Sequence, residues 1–292
     1  MVGDSMGEEN RCGLARQLSL VIHNAKDISI TGLTLINSQL FHLVIHRSEN
    51  VEVRETQIIA PGDSPNTDGI HVQQSKNVAI VHAVIKTGDD CISVGPGTMN
   101  LWVERVACGP GHGISIGSLA KDLDEAGVQN VTVKSVVFSG TQNGLRIKSW
   151  GRPSYGFVRG VVFQNAIMRD VHNPIIIDQN YCPHNKNCPG QHSGVKIRGV
   201  KYGNIRGTSA TKVAVKFECS PSNPCKDIGL HNVQLSYQKR AARASCANAY
   251  GTTSGEIFKE YHSKSIKPIK PWNPVDRTVT FPSGLNGAEL AE

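Results

Sequence analysis

The chain has 292 residues, is 39% hydrophobic and contains 29 glycines and 14 prolines but few aromatics, so it can bury one large core or two ordinary ones and is too apolar for general disorder. Its formal charge of +7 suits an anionic partner, yet the lysines and arginines are scattered without a basic run or interleaved aromatics, which argues against nucleic acid. No apolar run approaches the ~20 residues of a membrane helix, and the first twenty residues lack the apolar stretch of a signal peptide, so the chain reads as soluble with no address of its own.

Residues 1–19 carry no repeat and read as an irregular segment. From Leu20 onward a strand-like unit with two alternating apolar positions recurs, starting at Ile28, Val51, Val78, Leu101, Val131, Val161, Val195 and Ile228, about 30 residues apart. Asn or Asp often precedes it, as at Asp27, Asn50, Asn77, Asn100, Asn130 and Asp227. Between copies lies a second alternating segment: FHLVIHRS, DGIHVQQS, CISVGPG, GISIGS, GLRIKSW, PIIIDQ and KVAVKF. No unit has a 3.6-residue period, which disfavours helix-containing solenoids, and the units are too short for propeller blades. What remains is an all-β fold, a right-handed single-stranded parallel β-helix over residues 20–263, with coils stacked at about 4.8 Å. Such a solenoid needs a capped first coil, and with no repeat before Leu20 its N-terminal coils and cap are expected to be missing. From residue 264 the sequence is Pro-rich and reads as an irregular tail.

Two close cysteine pairs, Cys182/Cys188 and Cys219/Cys225, fit either small disulfide loops or zinc. They lack CxxC spacing and grouped histidines, so disulfides and an oxidising compartment are favoured.

The stretch KTGDDCISVGP places Asp89 and Asp90 side by side before a strand, where neighbouring side chains point to opposite faces. Taking Ile70, Ile92, Ile114 and Leu145 as register marks puts Asp68, Asp90 and His112 in one column, two residues before their marks. One residue after the marks come His71, Ser93, Ser115 and Arg146; three after them come Gln73, Gly95, Gly117 and Lys148. This describes a low floor beside a cationic wall, suited to a long acidic ligand. If the chain turns at Gly88, Asp89 emerges beside Asp68 and Asp90, and three such close carboxylates leave one protonated. The plain alternatives are turn aspartates and a solvated basic face.

Asn66-Thr67-Asp68, Gly88-Asp89-Asp90, Gly111-His112-Gly113 and Arg146-Ile147-Lys148, in this order, resemble the four signature segments of polygalacturonases, and the plant branch resembles it most, from about Cys12 to about Ser254. The resemblance implies hydrolysis of α-1,4-linked galacturonate in de-esterified pectin with inversion, by a secreted monomer of the cell wall, without metal or cofactor. It makes Asp89 the general acid, Asp68 and Asp90 the groups that activate water, and His112 the residue that holds or tunes the acid. Arg146, Lys148 and Asn66 would bind the substrate carboxylate, Tyr202 would be a subsite tyrosine, and Cys91 would pair with Cys108. Cys246 lacks the family's later cysteine partner. Endo action is expected over exo action; a calcium-dependent pectate lyase and a non-catalytic pectin-binding β-helix are the alternatives.

Overall fold

The computed structural model describes residues 17–257. They are strand and turn throughout, apart from one three-residue 3-10 turn at Pro183–Asn185, and among them no helix is long and apolar enough to cross a membrane. The chain winds as a right-handed parallel β-helix. One face is a nine-stranded sheet whose neighbours all pair in parallel: β1 (Leu20–His23), β2 (Leu43–His46), β3 (Ile70–Gln73), β4 (Ile92–Val94), β5 (Ile114–Leu119), β6 (Asn143–Trp150), β7 (Asn173–Tyr181), β8 (Val213–Glu218) and β9 (Arg243–Ala247). A second sheet of fourteen strands contains the other repeat, from Lys26–Thr31 to Ala249–Ile257.

The period-two pattern builds this shape. Ile70 pairs with Ile92, Ile92 with Ile114 and Ile114 with Leu145, as the sequence marks require. With Val72, Val94, Ile116 and Ile147 they point inward and are at most 1% exposed. Each such side chain contributes ~1.5–3 kcal/mol on burial, and β-branched residues suit the pleated wall.

The Asn and Asp that precede the first repeat form a corner. Asp27, Asn50, Asn77, Asn100 and Asn130 all have φ of 55–56°, a left-handed bend that asparagine tolerates better than bulkier residues. Each amide donates to the coil before it: Asn50 to Asp27 at 2.8 Å, Asn77 to Asn50 at 3.0 Å, Asn100 to Asn77 at 2.9 Å and Asn130 to Asn100 at 3.2 Å.

One repeat copy is out of place in the sequence reading. Val161 pairs with Val200, which pairs in turn with Ile228, so the seventh copy starts at Val200 and not at Val195. Tyr202 therefore sits inside the strand Lys196–Ser209, facing the core, 1% exposed, its ring 5.1 Å from Phe163 and 5.9 Å from Phe217. A ring enclosed by the coil interior cannot line an outer groove, which corrects its assignment as a subsite tyrosine.

Disulfides join Cys91 to Cys108, Cys182 to Cys188 and Cys219 to Cys225, and Cys246 is free and exposed. Cys12, residues 1–16 of the N-terminal segment and the tail from 264 lie outside the described residues.

Candidate active site

The middle of the nine-stranded face carries the chemistry. The Gly69 N–H donates to the Asp90 carbonyl at 2.9 Å and the Ile70 N–H to the Cys91 carbonyl at 3.0 Å, which fixes Asp68 one coil from Asp90. Gly88 makes the approach possible. Its N–H donates to Thr67 Oγ1 at 3.0 Å, and a Cβ there would fall 1.9 Å from the Ser64 carbonyl oxygen. Only glycine lets the chain pass so close beneath the preceding turn.

Asp90 is 1% exposed and fully engaged. Its Oδ1 accepts from Arg146 Nη2 at 2.7 Å and from Ser115 Oγ at 2.8 Å, while its Oδ2 accepts from Lys148 Nζ at 2.9 Å. Ser115 Oγ in turn accepts from Arg146 Nε at 2.8 Å. Arg146 and Lys148 are themselves only 8% and 7% exposed. The expected cationic wall is thus a buried triad, in which the charges offset one another's desolvation. Burial alone would raise the Asp90 pKa, but Lys148 and Arg146 outweigh it and hold the carboxyl at about 2, as an anion.

Asp68, 6% exposed, is in the opposite state. Burial, then the charges of Asp90 and Asp89, push its pKa well above the carboxylate range. Its surroundings thus favour a proton on Asp68, whereas two cations keep Asp90 ionised.

Asp89 is the accessible member, its side chain 22% exposed. Its Oδ1 accepts from the Asp90 N–H at 2.8 Å and lies 2.9 Å from His112 Nδ1. His112 keeps its register two residues before Ile114, and its ring is bonded to Asp89 while staying within 4.8 Å of Asp90. Asn66 is exposed in the turn just before Asp68, with φ 57°.

Two site residues escaped the sequence reading in their roles. Ser115, a small floor residue in the sequence pattern, ties Arg146 to Asp90 through its hydroxyl. Tyr181, at the end of β7, has its ring centroid 5.1 Å from Lys148 Nζ and 5.2 Å from the Trp150 ring. A register shift between Lys148 and Trp150 brings Tyr181 opposite Trp150, where the unbroken register of the sequence would place Asn180. Asp89, Asp90 and His112 each offer one ligand atom within 4.8 Å of the others. A cation there would compete with Arg146 and Lys148, which already occupy both Asp90 oxygens. A hollow of 1420 Å³ runs along a different corner, past Glu55, His82, Arg105 and Asn165, and none of Asp68, Asp89, Asp90 and His112 lines it.

The sequence model of glycosyl hydrolases family 28 matches residues 3–255. The chain belongs to this family. Family 28 relatives include a polygalacturonase of Prunus persica, 60% identical over 239 residues, which covers 82% of this chain and 61% of the relative. An exopolygalacturonase of Platanus acerifolia is 42% identical, covering 79% of this chain and 62% of the relative. The chain thus spans about three fifths of the length of these family members. Among solved structures, polygalacturonase from Erwinia carotovora ssp. carotovora is 31% identical with a TM-score of 0.58, covering 77% of this chain and 59% of that one.

Proposed function

We propose that this chain is a polygalacturonase that hydrolyses α-1,4 bonds between galacturonate residues of de-esterified pectin, by single displacement with inversion. The observation that carries it is the stack of Asp68 on anionic Asp90, clamped by Arg146 and Lys148, with Asp89 open beside His112. Asp89, the most exposed of the three carboxyls, acts in its protonated form: it gives its proton to the glycosidic oxygen and is left a carboxylate, with His112 holding it in place. Asp90, with Asp68 once ionised, takes the proton of the attacking water. Arg146 and Lys148 keep N–H donors beyond those spent on Asp90 and Ser115, and these bind the carboxylate of the sugar at the cleavage point, with Asn66 beside them.

Internal cleavage is supported by the sheet itself, which continues past the site as β1 and β2 on one side and β7 to β9 on the other. Every proposed catalytic group comes from one chain, so a monomer suffices. Three disulfides support secretion, which would bring the chain to pectin in the cell wall.

The test is release of reducing ends from polygalacturonate, with and without a chelator, alongside viscosity. Chelator-insensitive release of saturated products with early loss of viscosity is expected. Unsaturated products that need calcium would sink the hydrolase reading in favour of a lyase, and release without viscosity loss would mean exo action.

A further inference from the structure

The corner ladder of asparagines stops where a stack of cations begins. Asn130 stands opposite Gly160 on the next coil, and Gly160 opposite Gly199, in the strands Phe157–Gln164 and Lys196–Ser209. Both glycines keep the left-handed bend, with φ of 64° and 65°, so the turn continues but its side chain is gone. One residue earlier in each coil the register aligns Arg159, Arg198 and Lys226 on three successive coils. All three are exposed, and neighbouring coils are about 4.8 Å apart.

The same column is built differently at the other end of the solenoid. Lys26, Glu49 and Lys76 occupy it there, and Glu49 bridges to the lysine on either side at 3.7 and 3.8 Å. Alternating charges satisfy such a stack from within, whereas three like charges repel one another. Among the described residues no ion pair reaches Arg159, Arg198 or Lys226, nor the exposed Lys196 and Lys201 that pair with Phe157 and Val162 beside them. Asp227, opposite Gly199 at the corner, is the one carboxylate in the three strands. Arg159 is held by Gln129, whose Oε1 accepts from its Nε at 2.7 Å, and by the Phe157 ring, 4.8 Å from its guanidinium carbon.

We propose that this face is a second binding surface for an acidic polysaccharide: a stretch of galacturonan lying along the solenoid axis over Gly160 and Gly199, with its carboxylates against Arg159, Arg198 and Lys226. A compact anion would meet the cation of one coil, whereas an extended chain with a carboxylate on every sugar meets all three. The glycines leave bare backbone where the amides of the ladder would stand, so that on these coils the space between the Arg198 and Lys201 columns is open to a sugar ring. The catalytic carboxyls stand on the nine-stranded sheet, so the surface is separate from the cleavage groove and holds the polymer while another stretch of it is cut. Its occupant as galacturonan rests on the proposed function; the surface itself rests on register and charge.

The experiment measures the affinity of the full chain carrying Asp89→Asn for polygalacturonate at low and high salt. Arg159→Gln, Arg198→Gln and Lys226→Gln combined are expected to weaken binding about tenfold at low salt, and less at high salt, where exposed charges are screened. Arg159→Lys with Arg198→Lys, which keeps the charges, is expected to retain the affinity. A control that lowers net charge equally elsewhere, Lys26→Gln with Arg169→Gln and Lys239→Gln, is expected to bind like the parent. Equal weakening in the control, or none in the combined variant, overturns the proposal, and so does tighter binding of a single-stranded oligonucleotide than of polygalacturonate through the same residues. Binding that depends on these cations in a chain whose unsubstituted form releases no reducing ends would uphold the surface and sink the hydrolase reading. An active enzyme whose binding ignores them would do the reverse.

Discussion

The asparagine corner and the middle of the nine-stranded face are built on the same coils by the same register, yet they use it in opposite ways. At the corner one side chain recurs coil after coil, because an amide both donates and accepts, and each copy satisfies the next. In the column before β3, β4 and β5 the residue changes or changes state at each step: Asp68, then Asp90, then His112. Stacked carboxylates cannot satisfy one another, so the fold brings in two cations and a hydroxyl for Asp90 and leaves Asp68 in surroundings that favour its neutral form. A uniform stack is scaffold; a stack that needs different neighbours at each level is where chemistry resides.

The contrast can be broken at several points. The largest effect is expected from Asp89→Asn, which removes the proposed proton donor while keeping its shape. It should lower kcat on polygalacturonate ~10²–10⁴-fold with little change in the unfolding curve, and equal activity would remove Asp89 from that role. Asp90→Asn should abolish activity as well, and also destabilise by ~3–5 kcal/mol in denaturant unfolding, since Arg146 and Lys148 are left buried without their counter-charge. Its pH signature follows from the depressed pKa: the stability contributed by Asp90 is present above the ordinary carboxylate value and is lost as pH falls through about 2. At the corner, Asn77→Ala breaks one bond to Asn50 and one from Asn100, so a loss of ~1–2 kcal/mol is expected, with activity per folded molecule intact. An activity loss there would mean that the two regions are coupled. The smallest effect has the opposite sign. The Asp68 pKa is raised on folding, so the stability it contributes is present at low pH and disappears as pH rises through its folded value. Asp68→Asn should therefore raise the melting temperature near neutral pH and not in acid, while activity falls.

Much of this was legible in the sequence. The second strands announce themselves through pairs such as Ile70/Val72 and Ile92/Val94, and the parallel register then places Asp68 beside Asp90 without further information. What failed did so for physical reasons. Val195, Ile197, Val200 and Tyr202 all turn inward and are buried, with a bend at Gly199 (φ 65°) among them, so an alternating pattern starts as well at Val195 as at Val200. Only pairing with Val161 decides between them, and with it whether Tyr202 faces core or solvent. The clamp on Asp90 was hidden differently. Register tells which residues share a column, whereas the reach of Arg146 and Lys148 from β6 across β5 to β4 depends on long side chains and on the small Ser115 between them.

That reach also makes the site a record of the order in which the coils wind. Asp90 on one coil draws its counter-charges from a strand two coils later, so until β6 has docked, the buried carboxyl lacks both cations and would hold a proton instead of a charge. A chain wound only as far as β5 would present the right residues in the wrong ionic form. Cleavage competence would then arrive with the fourth coil of the site, at once, and not in proportion to how much of the solenoid had formed.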